Sequence, residues 1–233
     1  METKVIVITG TRKGIGRFLA EYYLKNDYIV VGCSRSKSDL VHYNYEHYCL
    51  DVSDEKEVKK MISTVAIKHK KIDTLINNAG IASMNHTLLT PLSVVEDIFK
   101  TNVFGTFVFC RETAKVMALK KYGRIINFST VGVPFRLEGE AIYTASKVAV
   151  EMLSKVMAKE FADFNITVNT IAPTPTETDL IRNIPNSKID DLLKRQAIGR
   201  LSTYEDVLNV IEFYNNSNSG MVSGQVIYLG GIS

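Results

Sequence analysis

Tyr143-Thr144-Ala145-Ser146-Lys147 places a phenol and an ammonium four residues apart. On a helix that spacing puts the two side chains on one face, so both can enter a single cleft. A nearby cation favours tyrosinate and lowers a phenol pKa that starts at about 10, which brings it towards acid–base chemistry at neutral pH. An ordinary exposed i,i+4 pair has the same spacing, so the chemistry depends on what else the chain delivers to that face.

Thr9-Gly10-Thr11-Arg12-Lys13-Gly14-Ile15-Gly16 carries a GxxxGxG spacing rather than the GxGxxG dinucleotide fingerprint. Glycines at 10, 14 and 16 let the backbone turn tightly and let a pyrophosphate approach the helix start, where free N–H groups and the helix dipole favour anions. Arg12, Lys13 and Ile15 would flank that anion. A ligand-free strand–helix connection could use the same glycines. The second strand decides the cofactor's 2′ position, where an acidic residue would accept the ribose hydroxyl of NAD. This chain instead reads Cys33-Ser34-Arg35-Ser36. Arg35, together with Arg12 or Lys13, can form a cationic clamp on a 2′-phosphate, which favours NADP over NAD.

The elements around these residues alternate. Lys4–Thr9 (KVIVIT) is a β-branched run, and Ile15–Lys25 has apolar residues at helical spacing. Strands follow at Tyr28–Cys33, His47–Leu50, Thr74–Ile76, Arg124–Phe128, Thr167–Ile171 and Gln225–Leu229, with helical stretches at Asp54–Lys68, Leu92–Lys120 and Ala141–Phe164. Short apolar strands without polar alternation imply a parallel sheet buried on both faces. The expected fold is therefore α/β, a single-domain Rossmann-like doubly wound parallel sheet flanked by helices over residues 1–233. Asn215–Gly220 reads as a surface turn. Asp179–Gly199 fits the sheet pattern poorly and follows a strand end, so a mobile substrate lid is expected at 179–199.

Composition narrows the remaining classes. A chain of 233 residues with 45% hydrophobic residues can bury one substantial core, and a net charge of +3 gives no footprint for nucleic acid. The densest basic run, Lys68-His69-Lys70-Lys71, falls where a helix should end and cations complement its dipole. The strand beginning at Lys4 leaves no room for a secretory leader, and no apolar run approaches a membrane span. Cys33, Cys49 and Cys110 lack CxxC spacing, which suggests reduced thiols in a cytoplasmic protein. His42, His47, His69 and His86 form no HExxH-like arrangement, so no metal site is expected.

The Gly-rich turn, Asn77-Asn78-Ala79-Gly80, Asn102 and the Tyr143–Lys147 pair occur in the order found in short-chain dehydrogenases/reductases, and the chain resembles that family over nearly its whole length. Asp51-Val52, Gly123-Arg124-Ile125-Ile126-Asn127, Val168-Asn169-Thr170-Ile171-Ala172-Pro173 and the ending Ser223-Gly224-Gln225 to Gly230-Gly231 extend the likeness. It is most similar to 3-oxoacyl-carrier-protein reductases and related bacterial ketoreductases. The resemblance implies that Asp51 and Val52 meet the adenine and that Asn78, Ala79 and Gly80 line the ribose side. Ser34 and Arg35 would face the 2′ position, and Pro173, Thr176 and Thr178 would border the nicotinamide. Lys147 would hold the ribose hydroxyls, while Asn102 would open its helix locally and position a water in a proton relay. A cap or kink role for Asn102 is compatible with that.

The family's catalytic serine lies thirteen positions before the tyrosine, and counting back from Tyr143 reaches Thr130, with Ser129 the alternative if the loop length differs by one. A threonine hydroxyl can still donate to a substrate carbonyl. Pro173-Thr174-Pro175 replaces the usual Pro-Gly and stiffens that loop. The expected activity is NADP(H)-dependent reduction of a ketone, or oxidation of a secondary alcohol, with Tyr143 as general acid/base. Two alternatives stand beside it: an NAD-dependent dehydrogenase of a sugar or steroid-like alcohol, and a non-catalytic NADP-binding or scaffold protein. The substrate would be a small or carrier-bound carbonyl compound. Arg136 and Lys188 or Lys194 could help receive an acidic carrier or phosphorylated substrate, although solvated loop and helix charges are the favoured reading of them. The resemblance also implies a homodimer or homotetramer built on the two long helices, where Val103, Phe104, Phe107 and Val108 could serve either core or partner.

Overall fold

In the computed structural model, residues 3–176 and 186–232 are described, with side chains omitted for 186–188. The strands are β1 (Val5–Thr9), β2 (Ile29–Ser34), β3 (Tyr45–Cys49), β4 (Thr74–Asn77), β5 (Gly123–Phe128), β6 (Ile166–Ala172) and β7 (Val226–Tyr228). They form one seven-stranded sheet in the order β3-β2-β1-β4-β5-β6-β7, with every neighbouring pair parallel. The order reverses between β1 and β4, and a crevice opens there at the carboxyl ends of the strands.

Both faces of the sheet are buried, which explains the uninterrupted apolar runs. Val5, Val7, Leu75, Ile125 and Val168 point into one core with Phe109, Met117 and Met157, while Ile6, Ile8, Ile76, Ile126 and Ile171 point into the other with Leu19, Tyr23 and Ile211. Strand periodicity of two makes this division. The first core is closed by α2 (Glu55–His69), α4 (Thr106–Lys120) and α6 (Ala141–Glu160), the second by α1 (Gly14–Lys25) and α8 (Tyr204–Asn215). Between β4 and α4 run α3 (Leu92–Phe99) and a π-helical turn, Lys100–Gly105; α5 (Gly132–Phe135) follows β5, and α7 (Asn186–Lys194) lies between β6 and α8.

Three sequence expectations are revised. The stretch Leu92–Lys120 is not one helix, because the π-helical turn divides it. Helix α8 is an element the sequence reading omitted, although Thr203 and Asp206 form a complete capping box at its start. Asn215 is the last residue of that helix rather than part of the turn after it. Of the expected lid, residues 179–185 lie outside the described residues, and α7 is helical, with Leu192 buried.

The basic run at 68–71 caps α2. Lys68 and His69 both reach Glu46, at 3.0 and 2.7 Å, and Lys70 takes the left-handed C-cap conformation.

Candidate active site

The Gly-rich turn leaves β1 and enters α1 with Gly10 at φ +78°, a conformation that favours glycine. A side chain at Gly16 would run into the Gly10 carbonyl. Asn78 locks the turn from β4, its Nδ2 donating to the Thr9 carbonyl at 2.9 Å, and the Ala79 N–H donates to Thr9 Oγ1 at 2.9 Å. No side chain caps the start of α1, and no acidic residue occupies its first turn. The helix therefore keeps its N-terminal donors and positive dipole end for an anion.

That helix end opens into a cleft of about 530 Å³. Gly10, Arg12, Lys13, Gly14, Ile15, Ser34, Arg35, Asp51, Val52, Asn78, Ala79 and Gly80 all line it, so the predicted dinucleotide residues from four separate segments share one cavity. Gly16 sits behind them, buried in the turn. The sequence reading missed Ser36, Leu50, Ile81, Thr101 and Tyr204, which also line the cleft. Tyr204 packs its ring 5.2 Å from that of Phe18, a contact between two helices that no local pattern announces. Arg12 and Arg35 are exposed, and neither has an ion-pair partner among the described residues. A cleft with an uncapped helix end and two exposed guanidiniums suits a dinucleotide, whose pyrophosphate is anionic.

A second cavity of about 390 Å³ shares Ile15, Asn78, Gly80 and Ile81 with the first, so the two are continuous. Its walls include Thr130, Tyr143, Lys147, Pro173 and Thr176, with Ile189, Leu192 and Arg195 from α7 and the residue beyond it. Thr178 lies outside the described residues.

Lys147 is buried, and its Nζ donates to the Phe128 carbonyl at 3.0 Å. The ammonium lies 5.8 Å from the centroid of the Tyr143 ring. Burial lowers the Lys147 pKa to about 8. The Tyr143 phenol moves the other way: burial raises it strongly, the Glu140 carboxylate adds to the rise, and hydrogen bonding with the Thr130 hydroxyl opposes both. The lowering expected from the neighbouring lysine does not appear, and desolvation of the phenolate sets the direction.

Thr130 and Ser129 part company. Ser129 Oγ is buried and donates to Glu151 Oε1 at 2.5 Å, and the same carboxylate accepts from the Tyr228 hydroxyl at 2.8 Å. Thr130 Oγ1 accepts from the Gly132 N–H at 3.1 Å and faces Tyr143. Of the two hydroxyls, it is Thr130 that partners the phenol.

Asn102 occupies the π-helical turn, a local widening often found at functional positions. Its amide clamps Ile81 in both directions, accepting from the Ile81 N–H and donating to the Ile81 carbonyl, each at 2.9 Å. The second amide hydrogen goes to Ser146 Oγ at 3.0 Å, and Ser146 in turn donates to the Tyr143 carbonyl at 2.6 Å. A side chain at Gly80 would lie 3.3 Å from Asn102 Oδ1 and 3.5 Å from Lys147 Nζ, which shows how closely these elements converge. Asn77, beside Asn78, serves the core instead: its Nδ2 donates to Asn127 Oδ1 at 2.8 Å.

Residues 4–188 match the family model described as short chain dehydrogenase. The chain belongs to the short chain dehydrogenase family. Among relatives of this dehydrogenase, the 3-oxoacyl-[acyl-carrier-protein] reductase FabG of Thermotoga maritima is 30% identical over 240 residues, covering 99% of this chain and 98% of that protein. A solved structure named ElxO with NADP bound superposes with a TM-score of 0.89 at 30% identity, covering 98% of this chain and 97% of the other. The structure of a 4-hydroxyisoleucine dehydrogenase complexed with NADH gives 0.88 at 25% identity, with 98% of each chain covered. Structural neighbours of this dehydrogenase thus carry either nicotinamide cofactor.

Among the described residues, no group of three or more His, Cys, Asp or Glu could hold a metal ion, and no helix is long and apolar enough to cross a membrane. The expected carrier-receiving cations divide. Lys194 pairs with Asp191 at 3.5 Å, Arg136 is exposed, and the Lys188 side chain is outside the described residues. On the long helices, Val103 and Val108 are buried, whereas Phe104 is 54% and Phe107 38% exposed.

Proposed function

We propose that this dehydrogenase reduces a ketone, or oxidises the corresponding secondary alcohol, with NADP(H) as its cofactor and Tyr143 as general acid/base. The observation that carries the reading is the convergence of the Thr130 hydroxyl, the Tyr143 phenol and the Lys147 ammonium on the wall of the second cavity. Arg12, Lys13, Ser34 and Arg35 would hold the 2′-phosphate, Asp51 and Val52 the adenine, and Asn78, Ala79 and Gly80 the ribose side. Pro173, Thr176 and Thr178 would border the nicotinamide. When bound, that ring supplies hydride to the carbonyl carbon or accepts it back.

The chain's own groups manage the proton. A phenol raised by burial is protonated at neutral pH, as a donor to a developing alkoxide must be. Thr130 donates a hydrogen bond to the same oxygen as charge accumulates there, a contribution of about 10²–10³ in rate for one such donor. Lys147 holds positive charge beside the phenol and lowers the cost of tyrosinate as the proton leaves. Asn102 spends its side chain on Ile81 and Ser146, so it acts by fixing the segment after β4 and the Tyr143 end of α6. Ile189, Leu192 and Arg195, at the far wall of the second cavity, would border the substrate. Exposed Phe104 and Phe107 suit a homo-oligomeric contact on the long helices.

Charge at the 2′ position favours NADP over NAD, because two unneutralised guanidiniums line the adenine end of the cleft. Purified enzyme should oxidise NADPH in the presence of some member of a ketone panel, including carrier-bound 3-oxoacyl compounds. Tyr143→Phe should lower turnover at least a hundredfold, about the minimum contribution of a positioned acid, with NADPH binding preserved. A fully active variant would sink the assignment.

A further inference from the structure

We infer that His47, with Tyr45, is a positioning residue for cofactor choice, setting the spacing between the Arg12 and Arg35 sides of the cleft. The inference rests on the reading above that these two guanidiniums receive a 2′-phosphate. Tyr45 and His47 are two residues apart on β3, so their side chains leave the same face of the strand. Both stand behind the cleft rather than among the residues that line it.

The hydrogen bonds around the pair run in one direction. Ser34 Oγ donates its only hydrogen to the Ser36 carbonyl at 2.6 Å, so at 3.1 Å from His47 Nε2 it must be the acceptor. His47 Nε2–H therefore serves Ser34 Oγ and the Ser36 carbonyl, each at 3.1 Å. The other ring nitrogen, Nδ1, is then the acceptor, and the Tyr45 hydroxyl donates to it at 2.9 Å. Tyr45 has one hydrogen to give, so at 2.8 Å Thr11 Oγ1 is the donor to it. The chain of bonds begins at Thr11, directly before Arg12, and ends on Ser34 and Ser36, which flank Arg35. One imidazole and one phenol thus tether the backbones on either side of the clamp. Room for the contact comes from Gly32 on β2, where a side chain would stand 2.5 Å from the Tyr45 hydroxyl and collide with Thr11.

A guanidinium clamp discriminates only when its two arms are held at the right separation, since ordering loose arms consumes the binding free energy. Losing the tether should therefore weaken binding of the 2′-phosphate and leave the rest of the dinucleotide unaffected. A purely structural role for His47 would weaken both cofactors together.

The test measures dissociation constants of NADPH and NADH by fluorescence titration of the full-length chain. His47→Leu should weaken NADPH about tenfold, one typical coupling between residues in a shared network, and change NADH by less than about twofold. His47→Gln, which keeps a donor for the Ser36 carbonyl, should recover most of the loss. Tyr45→Phe removes a single hydroxyl and provides a milder second variant, expected to weaken NADPH about threefold with NADH unchanged. In an Arg35→Ala background, His47→Leu should add less than about twofold, because the residue it positions is gone. Equal losses for both cofactors, no loss for either, or a full His47→Leu effect without Arg35 would overturn the inference. Arg35→Ala with undiminished NADPH affinity would instead remove the 2′-phosphate reading, and this inference with it.

Discussion

Replacing Lys147 by Met should stabilise the protein at neutral pH while it abolishes turnover, and the size of the gain follows from where the ammonium sits. The side chain is 5% exposed, and its pKa falls from 10.5 to about 8 because the charged form is desolvated. At 1.36 kcal/mol per tenfold change in proton affinity, holding the charge in place costs roughly 3 kcal/mol. Met fills a similar volume but cannot donate to the Phe128 carbonyl, which returns about 1–2 kcal/mol of that. A net gain of roughly 1–2 kcal/mol is expected at pH 7, or a rise in Tm of about 4 °C for a chain of this length. The sign with pH is fixed. A lysine with a depressed folded-state pKa binds fewer protons folded than unfolded between about pH 8 and 10.5, so wild-type stability from this group rises across that window. Below it the full penalty stands; above it the penalty is gone. At pH 9.5 roughly 1 kcal/mol of that cost remains, which the lost hydrogen bond cancels. Urea unfolding followed by circular dichroism at pH 7 and pH 9.5 measures both differences. A variant less stable than wild type at pH 7, or one whose advantage is the same at both pH values, would refute the reasoning.

Thr130→Ala should reduce kcat about 10²–10³-fold in NADPH-dependent ketone reduction, the loss typical of one donor to a developing oxyanion. Ser129→Ala should leave kcat within about twofold and lower stability by about 1–3 kcal/mol, because buried Glu151 loses a donor while keeping Tyr228; denaturant titration beside steady-state rates separates the two variants. Thr203→Ala removes the hydroxyl that receives the Asp206 N–H and should cost about 1 kcal/mol in a thermal melt.

Much of the fold was legible because its signals are local. Uninterrupted apolar strands such as Val5–Thr9 announce burial on both faces, and glycines 10 and 16 mark the turn that only they can make. Most of the cleft lining was legible for the same reason, since the segments after β1, β2, β3 and β4 supply it, whereas Thr101 and Tyr204 come from the π-helical turn and α8. What stayed hidden depends on three-dimensional packing. The direction of the Tyr143 shift follows from how deeply the phenol is buried and from Glu140, not from its spacing to Lys147. The faces of α4 could not be continued from Leu92, because the π-helical turn at Lys100–Gly105 inserts an extra residue and rotates everything after it by about 100°. Phe104 and Phe107 therefore reach the surface while Val103 and Val108 enter the core. Helix α8 is the opposite case: Thr203, Asp206, Val207, Leu208 and Ile211 carried a capping box and an apolar stripe that could have been read directly.

The different surroundings of Ser129 and Thr130 follow in part from strand parity. Along β5, Ile126 and Phe128 enter one core, while Ile125 enters the other and Asn127 donates to Ser154 on α6. Ser129 continues the odd-numbered face, and there it meets Glu151, three residues before Ser154 on the same helix. Thr130 has the opposite parity, and the turn into α5 that follows brings it to Tyr143, which stands about two turns before Glu151 on the same helix. A hydroxyl on the odd face is committed to holding α6 and β7 against β5, through Glu151 and Tyr228. Both positions line the second cavity, but Ser129 turns its hydroxyl to Glu151 while Thr130 turns its own to the phenol.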